Sequence, residues 1–103
     1  MFKSLVTVEL TILSSLLVKD RYGLEIIKTI KEDAGKTISI GGLYTTLNRL
    51  EKKGYVKGYN GKTTSDRGGN RRKYFKLTGL GSRALKDVQT TLTSLWGKAA
   101  YAK

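Results

Sequence analysis

With 103 residues the chain has room for one domain, of a size that buries roughly two-thirds of its unfolded surface and folds alone with little margin. It holds no cysteine and no histidine, which excludes a disulfide framework, a thiolate site, a zinc site of the usual kind and a catalytic triad; no cofactor, metal or catalytic residue is expected. Twenty Lys and Arg against eight Asp and Glu leave a net charge of +12, which favours a polyanionic partner.

The charge is unevenly placed. Residues 1–35 hold five basic and five acidic side chains, residues 36–76 hold eleven and two, and residues 77–103 hold four and one. An excess concentrated in the middle of the chain is an electrostatic footprint rather than a general aid to solubility.

Taken in order, the most apolar run is Leu5 to Val18. It is too short to span a bilayer, is interrupted by Glu9, and is followed by no small-x-small cleavage site. No membrane association is expected, and the location expected is cytoplasmic. The run fits a buried helix, with Val6, Leu10, Leu13 and Leu17 on one stripe and Ile12 and Leu16 widening it. Asp20 is a candidate cap for a second helix from Tyr22 to Ala34, where Leu24, Ile27, Ile30 and Ala34 recur at helical spacing and Gly35 ends the run. Gly23 lowers helix propensity there and points to close packing of backbones.

The third helix is read over Ser39 to Val56. Ser39 caps it, Gly54 closes it in a left-handed conformation, and Leu43, Leu47 and Leu50 line its apolar face. Gly42, Thr45, Arg49 and Lys52 fall opposite, flanked by Asn48 and Lys53. Such a face is either an ordinary solvated surface or one that carries amide, hydroxyl and guanidinium groups to base edges and phosphates. Helix, helix, turn and basic helix is the order of a helix-turn-helix unit.

Two strands are predicted next, Tyr55 to Tyr59 and Arg72 to Leu77, joined by a glycine-rich tip with the cations Lys62, Arg67 and Arg71. Read alone the tip is a plain flexible loop; behind a basic helix it is a strip that can follow a phosphate backbone or enter a minor groove. Thr78 caps a last helix in which Leu85, Val88, Leu92 and Leu95 repeat at three, four and three. That stripe either packs back on the domain or forms a seam with a second subunit. Trp96 and Tyr101 have little domain left to cover them, and residues 97–103 read as a fraying tail.

These residues also carry a family likeness. Gly23-Leu24-Glu25 looks like a Gly-Tyr-Glu signature, Ser39 through Gly54 like Ser-x-Gly-x-Leu-Tyr-x-x-Leu-x-Arg-Leu-Glu-x-x-Gly, and Arg72 through Thr78 like Arg-Lys-Tyr-Tyr-x-Leu-Thr. In this order and spacing the chain resembles the PadR-like winged-helix transcriptional regulators. It departs from them at Leu24, usually Tyr, at Ile40 and Thr45, where Pro is frequent, and at Gly42, usually Thr.

The resemblance implies a mainly α fold with a small β-hairpin, α+β in class. Residues 1–78 would form a winged helix-turn-helix, 79–96 a dimerisation helix and 97–103 a disordered tail. It implies double-stranded DNA contacts from Tyr44, Thr45, Asn48, Arg49 and Lys52 on the helix and from Arg67, Asn70, Arg71 and Lys73 on the wing. It further implies a homodimer joined through Leu85, Val88, Leu92, Leu95 and Trp96, and release by a small aromatic effector. Glu51, near the buried edge of the third helix, is read as a structural partner of a neighbouring Arg or Lys.

The function expected is a sequence-specific DNA-binding regulator, a repressor that occupies an inverted repeat. The rival readings are an architectural protein that coats DNA and a protein-interaction module. An enzyme is not expected, since the one adjacent acidic pair, Glu32-Asp33, sits at an exposed helix end.

Overall fold

The computed structural model describes residues 2–61 and 72–101, and the side chains of 8–61 and 72–99. Among the described residues the elements run α1 (Phe2–Ser15), β1 (Arg21–Tyr22), α2 (Gly23–Ala34), α3 (Ile40–Lys52), β2 (Val56–Asn60), β3 (Lys73–Leu77) and α4 (Gly79–Tyr101). The fold is mainly helical with a small antiparallel sheet, as expected. That sheet has three strands rather than two, in the order β1-β3-β2.

The apolar run at the start outlasts its helix. Beyond Ser15 the amides of Leu16 and Leu17 bond to the carbonyls of Leu13 and Ser14, each at 3.1 Å, which tightens the last turn. Arg21 Nε then donates to the Ser15 carbonyl at 2.6 Å, a cation set against the negative end of the helix. Ile12, Leu13 and Leu16 are buried, whereas Leu17, expected on the buried stripe, is exposed.

Asp20 does not cap α2. The chain at Arg21–Tyr22 is extended and pairs with β3, Arg21 opposite Phe75 and Tyr22 opposite Tyr74. The cap is Tyr22, whose amide donates to Glu25 Oε1 at 3.2 Å. Ile26 and Ile30 are buried and Ile27 packs against the core, while Leu24, expected on the same stripe, faces out. Gly35 closes α2 with φ 65°, in the left-handed region that glycine favours.

Ser39 caps α3 as expected, its hydroxyl accepting from the Gly42 amide at 3.0 Å. The helix does not run on to Val56: Gly54 takes φ 83°, and Tyr55 turns the chain into β2. Leu43, Leu47 and Leu50 of α3 meet Val56 and Phe75 from the sheet's inner face in one core with the buried residues of α1 and α2. Complete burial of each such side chain contributes roughly 1.5–3 kcal/mol.

Thr78 fastens two helices at once. Its hydroxyl accepts from the Gly81 amide at 3.0 Å, capping α4, and donates to the Gly54 carbonyl at 2.6 Å, behind the end of α3. Leu85 of α4 joins the domain core, and farther along Leu92, Leu95 and Trp96 are exposed. Helical backbone continues past Trp96 to Tyr101. No helix among the described residues is long and apolar enough to cross a membrane.

Candidate nucleic-acid interface

α3 is held on both flanks, and its free face is what remains. On one flank the Tyr44 ring lies over Gly23 of α2 and packs 6.1 Å from the Phe75 ring. Gly23 is therefore small to admit a side chain, not the close backbone contact expected from sequence, and a Cβ there would collide with the Tyr44 hydroxyl. Further along, Glu51 Oε2 accepts from the Gly58 amide of β2 at 3.1 Å. Glu51 is structural, as expected, but its partner is a backbone amide rather than an Arg or Lys.

The other flank meets α1. Lys53 Nζ donates to Glu9 Oε2 at 3.1 Å, and Arg49 Nη1 lies 4.0 Å from the same oxygen. Glu9 was visible in the sequence as the one acid interrupting the apolar run. An acid there marks a partner brought in by the fold, and only the fold names the partner.

Between the flanks, Gly41, Thr45, Asn48 and Lys52 are exposed and share one face. Of the helix residues expected at DNA, Thr45, Asn48 and Lys52 are thus presented together. Tyr44 is at the rim with 36% of its surface exposed. Arg49 leans toward α1 and is half-buried. Thr46 is buried and self-satisfied, its hydroxyl donating to the Gly42 carbonyl at 2.9 Å.

The β2–β3 hairpin stands beside this face. Lys73, expected from the wing, is exposed at the start of β3, its ammonium 5.4 Å from the centre of the Phe75 ring. Arg67, Asn70 and Arg71, the other wing residues expected at DNA, lie outside the described residues. The sheet's outer face joins Tyr22, Tyr74 and Tyr59, with the Arg72 guanidinium 4.3 Å above the Tyr22 ring. The exposed Lys57 and Lys76 are directly opposed on neighbouring strands. The Tyr59 hydroxyl donates to Asp20 Oδ2 at 2.5 Å, and this bond, aided by partial burial and by the charge of Asp20, pushes the Tyr59 pKa up to about 12.

A helix-turn-helix with a basic third helix and a flanking hairpin defines a winged helix. A sequence model of the transcriptional regulator PadR-like family matches residues 12–87, and the chain belongs to that family. Its members are transcriptional regulators, not enzymes. A transcriptional regulator from Clostridium thermocellum is 34% identical, with 91% of this chain and 89% of that one covered and a TM-score of 0.71. A PadR-like transcription factor from Bacteroides fragilis superposes over 99% of this chain and 98% of its own, at 28% identity and a TM-score of 0.81. PadR of Bacillus subtilis, solved in complex with operator DNA, shares the fold at 21% identity and a TM-score of 0.71 over 81% of this chain and 47% of that one.

Proposed function

We propose that this regulator binds double-stranded DNA sequence-specifically as a homodimer on an inverted repeat, and represses by occupying the promoter. The observation that carries the reading is the exposed face of α3, where a hydroxyl, an amide and an ammonium at Thr45, Asn48 and Lys52 stand on a helix braced on both flanks. These are groups that reach base edges and phosphates, and a braced helix holds them in register. The operator complex of the Bacillus subtilis relative supports the same use of the fold.

In this reading residues 1–78 form the DNA-binding unit and α4 is the dimerisation element. Leu92, Leu95 and Trp96 are 37%, 60% and 67% exposed, an apolar stripe that a second α4 would cover, with Val88 at its inner end. Leu85 stands apart from this stripe because it already lies in the domain core. The exposed Trp96 indole offers a stacking surface for a small aromatic effector that releases the DNA. A cytoplasmic location follows from the work on DNA.

Selection of bound sequences from random duplexes, followed by footprinting, is the test. Discrete protected sites with two-fold related halves are expected. Uniform protection would replace the reading with an architectural coat, and no binding at ~50 mM salt with a protein-interaction module. On the selected site Asn48→Ala should cost about 1–3 kcal/mol and relax one base position, whereas Lys52→Ala should weaken all duplexes alike.

A further inference from the structure

α3 and its cap carry three cations, Arg49, Lys52 and Lys53, and two of them gather at one carboxylate on another helix. Glu9 of α1 is 14% exposed at its side chain, lies 3.1 Å from Lys53 Nζ and 4.0 Å from Arg49 Nη1. The two cations are not held alike. Lys53 donates a hydrogen bond to Glu9, while Arg49 Nη1 is buried and has no hydrogen-bond partner.

Buried donors are almost always paired, so a guanidinium nitrogen left without an acceptor needs an explanation. Arg49 is attracted to Glu9 by charge but is too far away for a bond. Nη1 itself is shut off from solvent, but the side chain as a whole is 39% exposed, so a phosphate on the groove wall would bond the guanidinium only by drawing it out from beside Glu9.

We propose that Glu9 is a positioning residue that restrains sequence-independent binding by holding Arg49 away from the DNA backbone. The proposal rests on the DNA-binding reading above. Lys52 is then the one cation of α3 and its cap that no described carboxylate faces. Affinity for arbitrary duplex is thereby lowered, and selection is left to contacts on the exposed face. Glu9 shares a surface cavity with Leu10 and Leu13 of α1, Leu50 of α3, Tyr55 before β2, and Ala84 and Val88 of α4, and Arg49 and Lys53 are the charges beside it.

The experiment compares wild type, Glu9→Gln, Arg49→Ala and the double variant on a random-sequence duplex over a salt series. Glu9→Gln keeps the size of the side chain and an acceptor for Lys53 while removing the charge. It is expected to tighten binding about three- to tenfold at ~50 mM salt and to steepen the plot of log K against log salt by about one, the signature of one further phosphate contact. In the Arg49→Ala background the same substitution should change neither quantity.

A merely structural Glu9 would alter melting and leave the salt slope alone. Glu9→Asp, which keeps the charge but draws it back by one methylene, should give a smaller gain of the same sign and serves if Glu9→Gln unfolds. Wild-type binding with an unchanged slope in Glu9→Gln overturns this proposal alone, as does a gain that survives Arg49→Ala. If neither wild type nor Glu9→Gln binds duplex, the DNA-binding reading falls and takes this proposal with it.

Discussion

Replacing Glu51 by Ala tests whether α3 and the β2–β3 hairpin are one rigid piece. Glu51 Oε2 accepts from the Gly58 amide at 3.1 Å, and the bond crosses from the last turn of α3 to the middle of β2. A hydrogen bond to a charged group contributes about 1.5–3 kcal/mol, and the half-exposed position of Glu51 places it at the lower end. Ala is the better helix former by a few tenths of a kcal/mol, so the net loss is about 1–1.5 kcal/mol. For a domain of this size that lowers Tm by roughly 5–10 °C. Glu51→Gln, which keeps an acceptor without the charge, should fall between Ala and wild type.

The assay is guanidinium unfolding followed by helical circular dichroism, with every variant at the same protein concentration so that any self-association affects all alike. The midpoint should fall while the m-value stays constant, the mark of a lost interaction rather than a changed end state. Stability of Glu51→Ala within about 0.5 kcal/mol of wild type, the range of an ordinary surface substitution, would refute the bracing argument.

Two further predictions follow from the same geometry. Gly81→Ala should destabilise by about 1–3 kcal/mol despite its better helix propensity, because the new Cβ would run into the Tyr55 carbonyl and sit 2.9 Å from Leu77 Cδ1; Gly79→Ala, with nothing within 4 Å, should be neutral or stabilising, and melting curves of the pair decide the matter. Tyr59, raised from 10.0 to about 12, contributes stability that is whole below pH 10 and is lost as pH rises through 12; tyrosinate absorbance should carry a late-titrating component that Asp20→Asn brings back toward 10.0.

What could be read from the sequence was whatever one local segment decides. Ser39, Gly35 and Thr78 end or begin helices through bonds to residues three or four positions away, and each does so as expected. β1 was missed because two residues carry no alternation to read, and its pairing partner lies more than fifty positions down the chain. Leu24 faces out although it shares helical spacing with Ile27 and Ile30, because it lies in the first turn, next to the Tyr22 that pairs with β3. The apolar run through Leu17 and Val18 overran α1 because hydropathy does not record where a carbonyl is intercepted by Arg21. At the candidate site, helical spacing placed Arg49 on the free face, and the distant Glu9 draws it aside.

The restraint on Arg49 changes what the remaining face has to do. Gly41 and Thr45 are small, so the exposed surface of α3 is shallow and the helix axis can approach a groove floor more closely than a face lined with long side chains would permit. Close approach only helps if the helix cannot rock. The Glu51–Gly58 bond fixes its end to β2, Thr78 fixes the carbonyl of Gly54 behind it, and the Tyr44 ring fills the gap over Gly23 near its start. These contacts come from β2, from α2 and from the turn before α4, so no single hinge frees the helix. With direct base readout worth about 1–3 kcal/mol per good pair, a shallow face carrying Asn48 as its one bidentate group cannot supply much discrimination within a half-site. On the proposed homodimer two half-sites read together would multiply whatever one provides, and the exposed stripe of Leu92, Leu95 and Trp96 on α4 would then matter to specificity as much as the face of α3.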